Sequence, residues 1–278
     1  MYELQPITPA FGRFVTGIDL KQVVPEAAKR KIMQDLHEHR FLLFKGQGKI
    51  PAQRQVEISQ WFGQIESTFY KHPASPHPDI FRVSNDEREG CRNVGRSGWH
   101  IDGSFQEKPF KVQTMHFWSV SEGGCTLFSP LKELIESLED DTRKLWERLW
   151  FVSDHGQVHP LIYPHPVTGL PTMCFHCGEP FVNSFAVDYD SSKQTAAALF
   201  DWPQTQAMLK TITAKLQDPE QVFSCAWELG DFALIDNLAV GHYAHPDTQK
   251  DPAGSGLRIL HRTTVAGDTH PQKSPSAA

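Results

Sequence analysis

The sequence predicts a mainly β fold with flanking helices, arranged as a jelly roll. From residue 99 onward, short apolar strand patterns dominate, and long insertions separate them. Short strands with long insertions are typical of a jelly roll that carries helices on its outside. No internal repeat or low-complexity linker divides the 278 residues, a length that suits one large domain with a buried core. We therefore expect a single domain over residues 1–268.

The first hundred residues contain two helix patterns and two strand patterns. Apolar residues at helical spacing predict a helix over Pro25–His39, where the proline suits a helix start. The apolar run Phe41–Phe44 predicts a buried strand, and Gln53–Phe62 predicts a second helix. Residues 63–98 are rich in Pro, His, Asn, Arg and Gly around one strand near Ile80–Val83. Loops of this kind carry function more often than core elements do.

The remaining chain supplies the strands of the roll. Helical patterns span residues 130–150 and the stretch from Ser191 to Leu216, which Trp202-Pro203 interrupts. The tail over residues 269–278 is rich in Pro and Ser, so we expect it to be disordered. Short strands are predicted at residues 112–118, 125–128, 172–176, 232–236 and 257–265.

Composition excludes several classes of protein. A net charge of −6 argues against nucleic-acid binding, which needs a basic face. No apolar run approaches the roughly 20 residues of a membrane span, and the N-terminus lacks a signal-peptide pattern. We therefore expect a cytoplasmic protein that binds neither nucleic acid nor membrane.

The five cysteines are an odd number without a small-domain framework, which predicts reduced thiols. The segment Cys174-Phe175-His176-Cys177 resembles part of a zinc site, but structural zinc needs four ligands and a second pair is missing. Its apolar surroundings favour a strand. We interpret His176 and most of the fourteen histidines as surface or hydrogen-bonded residues.

A histidine and a carboxylate two residues apart, His100 and Asp102, form the first part of a candidate metal site. On a strand both would point to one face, while Trp99 and Ile101 would pack on the other. Two histidines and one carboxylate on one face are typical of mononuclear Fe(II) oxygenases. The alternative is an exposed polar strand face without metal, because a His-x-Asp pair alone occurs by chance.

Several histidines near the C-terminus are candidates for the third ligand. His242 follows a turn and strand, residues 230–237, that would carry it to the mouth of a barrel. His245 precedes Pro246 in a turn-rich loop, and His261 would face away from the neighbouring arginines. We therefore predict His242 as the third ligand and keep His245 as the alternative.

Arg258 and Arg262 share one face of a predicted strand with Leu260. Two arginines on an inward face are costly unless they meet anions, and a planar guanidinium binds a carboxylate through two bonds. Thr126, which follows a Gly-Gly turn, would add a hydroxyl to the same carboxylate. Ordinary salt bridges at a sheet edge are the alternative. Beside the candidate metal ligands, anion binding is the better explanation.

These motifs together resemble the taurine dioxygenase / dichlorophenoxyacetate dioxygenase (TauD/TfdA) family of Fe(II)- and 2-oxoglutarate-dependent oxygenases. The likeness covers nearly the whole chain. It rests on the segments Ile7-Thr8-Pro9, Gly17–Leu20, Trp61-Phe62-Gly63, Trp99–Phe105, Gly123–Leu127, Asp236–Ala244 and Arg258–Asp268. The resemblance implies a double-stranded β-helix, which is a cupin-like jelly roll.

Residue by residue, the resemblance assigns roles to the candidate site. It implies three Fe(II) ligands, namely His100, Asp102 and His242. Thr126 and Arg258 would hold the distal carboxylate of the co-substrate 2-oxoglutarate. Arg262 falls where the family places an arginine that faces the substrate anion or the metal-bound end of the co-substrate. Family members also associate as dimers or tetramers, so the resemblance implies a homo-oligomer.

The resemblance further implies that O2 and 2-oxoglutarate are consumed to oxidise an aliphatic C–H bond of a small molecule, with release of succinate and CO2. Hydroxylation is the simplest outcome, and desaturation or ring closure begins with the same hydrogen removal. Asp102 argues against halogenation, because the family's halogenases lack this carboxylate. The alternatives are a catalytically silent jelly roll that binds metal and a zinc hydrolase, which would leave the arginines unexplained.

Three departures from taurine dioxygenase argue against taurine as the substrate. Tyr70 stands where taurine dioxygenase has a histidine that contacts the sulfonate, and Arg96 replaces an asparagine that faces the substrate there. Residues Pro252–Gly256 look like a loop insertion. A tyrosine and an extra cation predict a different, anionic substrate. Further pocket candidates, with core packing or a solvated loop as the alternative, are Lys71, Arg92, Phe105, Trp118 and Phe128.

Overall fold

Two facing β-sheets form the centre of the protein in a computed structural model that describes residues 2–66 and 71–273. These residues form sixteen strands: β1 (Glu3–Pro6), β2 (Arg13–Thr16), β3 (Phe41–Phe44), β4 (Phe81–Ser84), β5 (Val112–Ser119), β6 (Thr126–Pro130), β7 (Leu149–Ser153), β8 (Val158–Pro160), β9 (Ile162–Pro164), β10 (Pro171–Met173), β11 (Val182–Val187), β12 (Ala198–Leu199), β13 (Phe223–Cys225), β14 (Phe232–Asp236), β15 (Val240–Ala244) and β16 (Ile259–Val265). They also form six α-helices: α1 (Glu26–His39), α2 (Ala52–Gln60), α3 (Leu131–Glu136), α4 (Asp140–Arg148), α5 (Trp202–Leu216) and α6 (Pro252–Ser255).

The larger sheet has seven strands in the order β1-β2-β3-β14-β5-β16-β4. Its neighbouring strands are antiparallel except β2 and β3, which run parallel. The last strand of the chain, β16, lies between β5 and β4. Arg262 therefore pairs with Met115 on one side and with Phe81 on the other.

The smaller sheet has the order β13-β6-β15. The segment around His100 extends it, because His100 forms bridges to His242 of β15 and to His176 beyond β10. Two packed sheets built from these short strands form a double-stranded β-helix, so the predicted jelly roll is confirmed. A separate sheet, β12-β11-β7-β8, and the hairpin of β9 and β10 lie among the insertions.

Apolar side chains fill the space between the two sheets. Phe117 and Leu260 of the larger sheet lie in one buried cluster with Phe128 and Val240, which come from the smaller sheet. Helices α1 and α2 pack on the larger sheet around a second cluster, and α3, α4 and α5 contribute to a third. Burial of this apolar surface is the main force that holds the helices on the sheets.

Most predicted elements are present within a few residues of their predicted ends, among them α1, α2, β3, β5, β14 and β16. The helix predicted to begin at Ser191 is wrong before Trp202, because residues 198–199 form β12 instead. The proline at position 203 does not interrupt a helix. It lies in the first turn of α5, whose N-terminus Asp201 caps by accepting a hydrogen bond from the Gln204 N–H.

The tail predicted to be disordered, residues 269–278, is described as far as Lys273. The His270 ring lies 3.1 Å from a carboxylate oxygen of Glu107, and the Lys273 ammonium donates to the main-chain carbonyl of Glu147. Residues beyond 273 lie outside the described part, and the single domain and the disordered tail stay predictions. Within the described residues, no helix combines the length and the apolar composition that crossing a membrane requires.

Candidate metal centre

His100 and His242 lie opposite each other across an antiparallel bridge. The His100 N–H donates to the His242 carbonyl at 3.1 Å, and the His242 N–H donates to the His100 carbonyl at 2.9 Å. Side chains of such a pair leave the backbone on the same face, and the two ring centroids are 4.3 Å apart. The Asp102 carboxylate oxygens lie 3.7 Å from Nε2 of each histidine. The structure therefore brings together the three predicted ligands, which are all buried.

The strand predicted around Asp102 is wrong, although the alternation of faces is correct. His100 pairs only through isolated bridges, and Asp102 begins a turn. Gly103 explains the end of the extended segment. Its φ is +78°, and a side chain there would meet the Phe110 backbone nitrogen at 2.9 Å. Ile101 packs in the apolar core on the opposite side, as predicted.

The protonation states of the three side chains suit a metal ion. Burial lowers the pKa of His100 and lowers the pKa of His242 to about 3, so both imidazoles are neutral. Burial alone would raise the pKa of Asp102, but the Arg262 guanidinium beside it holds that pKa below its ordinary value. Neutral imidazoles and an ionised carboxylate are the forms that bind divalent metals.

Unused donor atoms also fit a metal at this position. Both ring nitrogens of His242 are buried and have no hydrogen-bond partner among the described residues. Buried polar atoms without a partner are rare, and a ligated ion would satisfy Nε2. The Gly98 carbonyl lies 2.7 Å from Nδ1 of His100, which assigns the ring proton to Nδ1 and leaves Nε2 free as a ligand atom. Two histidines and one carboxylate with an open side are the donor set of non-haem Fe(II) oxygenases.

Asn237 holds the backbone of the carboxylate ligand. Its side-chain oxygen accepts from the Asp102 N–H at 2.8 Å, and its side-chain nitrogen donates to the Asp102 carbonyl at 2.9 Å. The same nitrogen donates to the carbonyl of Phe110. Asn237 is fully buried and follows directly after β14. It therefore links the larger sheet to the turn that carries Asp102.

Arg262 pairs with the carboxylate ligand itself. Its Nη1 atom donates to the two oxygens of Asp102 at 3.1 and 2.8 Å. Its guanidinium also lies over the Phe81 ring, 5.0 Å from the centroid. Nε of Arg262 is buried and has no partner among the described residues, so the side chain retains a donor for an additional group.

Arg258 is a buried cation without an ionic partner in the described part of the chain. It is 3% exposed, and burial lowers its pKa to about 10. Its guanidinium lies over the ring of Phe117 at 5.0 Å, and Nε has no acceptor among the described residues. A buried charge of this kind is costly unless an anion joins it. Arg258 is therefore a candidate binding group for an anion.

A cavity connects this arginine to the candidate ligand His242. We call it the arginine cavity. Its lining includes Thr126, His242, Arg258 and Arg262. Thr126 Oγ1 accepts a hydrogen bond from Trp227 Nε1 at 3.0 Å. With that lone pair occupied, the threonine hydroxyl is free to donate into the cavity. The sequence does not predict a role for Trp227, because it contains no local signal for this contact.

A second cavity opens on the other side of His100 and Asp102. We call it the phenylalanine chamber after the side chains Phe81, Phe105, Phe110 and Phe181. It has about 620 Å³ of space, a volume that includes its opening to solvent. His176 and Arg262 also line it. His176 was interpreted as an ordinary histidine in the sequence, because no carboxylate stands at a fixed spacing from it.

Of the two residues predicted only as substrate contacts, the structure describes one, Arg96. Tyr70 lies outside the described residues. Arg96 is partly exposed and donates to the Asn93 side chain at 2.7 Å. Lys71 and Arg92 are exposed, as expected for a solvated loop.

The remaining predicted candidates lie in different places. Phe105 lines the phenylalanine chamber, whereas Phe128 is in the core, 6.3 Å from the His242 ring between centroids. Trp118 lies on the other face of β5, where it donates to His116. The alternative ligand His245 instead accepts from the Asp247 N–H, outside the group of ligands.

A second group of potential ligands, His37, His165 and Asp236, is a hydrogen-bonded triad. Nδ1 of His165 accepts from the N–H groups of Val167 and Thr168, both at 3.2 Å. The His165 proton is therefore on Nε2, which donates to Asp236 at 3.1 Å. His37 approaches the other oxygen of Asp236 at 2.9 Å. A protonated Nε2 does not bind metal, so we assign this group to structural hydrogen bonding.

Comparison with known proteins agrees with the geometry of the candidate site. The family model described as "Taurine catabolism dioxygenase TauD, TfdA family" matches residues 3–264. The chain is 22% identical to the alpha-ketoglutarate-dependent sulfate ester dioxygenase of Pseudomonas putida over 280 residues, which cover 96% of this chain and 90% of that protein.

Two further proteins show the same extent of similarity. The alpha-ketoglutarate-dependent 2,4-dichlorophenoxyacetate dioxygenase of a Burkholderia species is 21% identical over 265 residues, 84% of this chain and 86% of that protein. The crystal structure of AAD-2 in complex with Mn(II) and N-oxalylglycine superposes with a TM-score of 0.77 at 20% identity. The superposition covers 98% of this chain and 100% of that one, and it shows the same fold.

Proposed function

Because this chain belongs to the taurine catabolism dioxygenase TauD/TfdA family, we propose that its buried His-Asp-His group supports oxidation, most simply hydroxylation, of an aliphatic C–H bond in a small anionic substrate. The protein is an alpha-ketoglutarate-dependent dioxygenase, an oxidoreductase that uses Fe(II), 2-oxoglutarate and O2. Family membership favours this activity over a silent metal-binding module and over a zinc hydrolase.

The observation that carries the proposal is the position of a partnerless buried cation beside the candidate ligands. His100, Asp102 and His242 would hold Fe(II), as their burial and the unused nitrogens of His242 indicate. Arg258 reaches the same cavity as His242 and has no carboxylate partner in the described part of the chain. A zinc hydrolase has no use for such a group, whereas a dicarboxylate co-substrate does.

Arg258 and Thr126 would bind the distal carboxylate of 2-oxoglutarate. A guanidinium and a hydroxyl that both face one cavity can donate three hydrogen bonds to a carboxylate. Trp227 orients the threonine hydroxyl by occupying one of its acceptor positions. The opposite end of the co-substrate would then lie toward His242 and Arg262, which line the other part of the cavity.

When bound, Fe(II) supplies the redox chemistry in which 2-oxoglutarate and O2 give succinate, CO2 and an oxidised substrate. The chain contributes position and charge. Arg262 keeps the Asp102 carboxylate ionised, and Asn237 fixes the turn on which that carboxylate stands. The phenylalanine chamber places apolar rings around the space beside His100 and Asp102, where the C–H bond to be oxidised would lie.

An anionic substrate is supported by the one arginine in the described lining of the chamber. Arg262 lines it and has a free Nε donor in the described structure, while Arg96 and Tyr70 are the sequence-based candidates for further contacts. Two relatives are named for substrates with an acidic group, a sulfate ester and 2,4-dichlorophenoxyacetate. We propose that Arg262 contacts both the co-substrate and the substrate.

Succinate release from 2-oxoglutarate with Fe(II) and O2 tests the proposal across taurine, aryloxy acids, alkyl sulfates and amino acids. We expect stimulation by one class of anion, and loss of turnover in Asp102→Ala and His242→Ala. His245→Ala is the matched control, because this histidine is next to the site but lies outside the group of ligands. Product mass distinguishes the gain of an oxygen atom from the loss of two hydrogen atoms in desaturation or ring closure. Full turnover in His242→Ala would refute the ligand assignment.

We also propose self-association as a dimer or tetramer, which rests on the family resemblance. Light scattering on the purified protein measures the mass in solution. A mass of 31.5 kDa at all concentrations, the value for one chain, would contradict this proposal.

A further inference from the structure

The phenylalanine chamber contains a polar side chain, His176, that the proposed function does not use. His176 is 4% exposed and lines the chamber next to the ligand His100. Its ring stacks on His100 with centroids 4.7 Å apart and on Phe181 with centroids 4.3 Å apart. Contacts on both faces hold the ring in one orientation.

The hydrogen bonds of His176 determine which nitrogen carries its proton. The N–H of Gly178 donates to Nδ1 at 2.9 Å, so Nδ1 is an acceptor. In the neutral ring the proton is therefore on Nε2, which is a donor. No residue in the described part of the chain accepts a hydrogen bond from Nε2. Nε2 is therefore a donor that a molecule in the chamber can use.

The side chains around this donor determine which kind of substrate can bind beside it and supply the acceptor. Phe105 and Phe181 are neighbouring rings, with centroids 5.9 Å apart and planes inclined by 30°. Together with His176 they form an aromatic wall. Phe110 lines the same chamber. Walls made of ring faces and edges bind flat aromatic groups better than flexible alkyl chains of the same size.

We propose that the chamber binds an aromatic acid, and that His176 donates a hydrogen bond from Nε2 to an oxygen of this substrate. This inference rests on the proposed function, since it names the substrate class of the same site. His176 is a specificity-determining residue in this assignment. It combines an aromatic face with one directed donor, whereas the phenylalanines supply only apolar contact.

The first test compares acids that differ in the group attached to the acidic end, which is aromatic in only one of them. Calorimetry under anaerobic conditions measures binding of 3-phenylpropionate, 3-cyclohexylpropionate, hexanoate and taurine to the protein loaded with Fe(II) and 2-oxoglutarate. We expect 3-phenylpropionate to bind at least about threefold more tightly than each of the other compounds, because of its aromatic contacts. Equal or weaker binding of 3-phenylpropionate would overturn the inference.

The second test separates the donor from the ring. His176→Phe keeps the stacked ring and removes the N–H, whereas His176→Gln places an amide nitrogen near the position of Nε2. We expect 3-phenylpropionate to bind about five- to tenfold more weakly to His176→Phe and to bind to His176→Gln within about twofold of the parent. Binding to His176→Phe as tight as to the parent would refute the donor role.

Controls distinguish this inference from the proposed function on which it rests. Melting temperature and 2-oxoglutarate affinity report whether each variant retains its fold and its co-substrate site. If the parent consumes 2-oxoglutarate but shows no preference for 3-phenylpropionate, the aromatic assignment fails and the dioxygenase assignment stands. If the parent neither binds nor consumes 2-oxoglutarate, the proposed function fails, and this inference fails with it.

Discussion

The side-chain amide of Asn237 holds the main chain of Asp102 through two hydrogen bonds, one in each direction. A second asparagine, Asn85, holds the main chain of the candidate anion-binding residue Arg258 through one hydrogen bond. The Asn85 oxygen accepts from the Arg258 N–H at 2.8 Å, and its nitrogen donates to the carbonyls of Lys250 and Gly256. One amide thus supports the carboxylate ligand, and the other supports the buried arginine.

Asn237→Ala should weaken metal binding by about 10- to 100-fold, the usual effect of removing a group that orients a ligand. The turn at Asp102 loses both of its bonds to the end of β14. Mn(II) titration of the metal-free protein measures the change. The matched variant Asn85→Ala should instead weaken 2-oxoglutarate binding, and its affinity for Mn(II) should stay within about twofold of the parent. Equal losses of metal affinity in both variants would contradict the assignment of Asn237 to the metal site and of Asn85 to the co-substrate site.

Arg258→Gln should lower the affinity for 2-oxoglutarate by about a hundredfold, because a buried guanidinium is exchanged for a neutral amide. The free protein should not lose stability, since the arginine has no ionic partner in the described residues. Calorimetry of co-substrate binding and thermal melting without ligand measure the two effects. Arg148→Gln is the control, as this exposed residue pairs with Asp188 at the surface. Unchanged co-substrate affinity in Arg258→Gln would exclude the assignment.

Trp227→Phe should reduce the affinity for 2-oxoglutarate by about three- to tenfold. The phenylalanine keeps an aromatic contact with Phe117, on which Trp227 now stacks at 4.2 Å, but the bond to Thr126 is lost. The threonine hydroxyl is then free to rotate away from the carboxylate. Trp118→Phe removes a comparable N–H on the other face of β5 and should leave this affinity unchanged. A similar loss in both variants would show that Trp227 acts through stability alone.

His116→Gln should make the metal-free protein less sensitive to acid. Burial lowers the pKa of His116 to about 4, against an ordinary value of 6.5. Between these values the unfolded chain binds a proton that the folded chain does not. The free energy of unfolding therefore falls as the pH falls from 6.5 to 4, by about 1.4 kcal/mol per pH unit for this group. The stability that the neutral ring contributes is fully present only above pH 6.5.

Urea denaturation at several pH values measures this slope for the parent and for the variant. The difference between the two curves isolates His116 from other histidines, such as His261, whose pKa burial lowers to about 3. We expect a shallower slope in His116→Gln. Parallel curves between pH 6.5 and 4 would mean that His116 is not neutral in the folded protein.

The fold, and the grouping of the three candidate ligands in space, could be predicted because they depend on local patterns. The run Phe41–Phe44 is buried at all four positions, as expected for a central strand. His100 and Asp102 face the site while Ile101 faces the core, as the alternation of side chains requires even where no regular strand forms. The separate histidine, His242, could be chosen because a strand and a turn precede it.

The contacts that complete the site could not be predicted, since they join residues distant in the chain. Arg262 pairs with Asp102 across 160 positions, and Trp227 reaches Thr126 across 101. His176 has no carboxylate at a fixed spacing in the sequence, yet the segment after β10 brings it against His100. One sequence contains no signal for which distant residues meet, and these pairings decide the charge and shape of the two cavities.

The position of β16, the last strand in the chain, between β5 and β4 of the larger sheet governs when the site can form during synthesis. Arg258 and Arg262 leave the ribosome after the other site residues, and β5 and β4 lack their shared neighbour until then. Closing such distant pairings is slow compared with forming helices such as α1. A nascent chain that ends between residues 243 and 257 therefore contains the candidate iron ligands but neither arginine, and the candidate site is incomplete until β16 has been made.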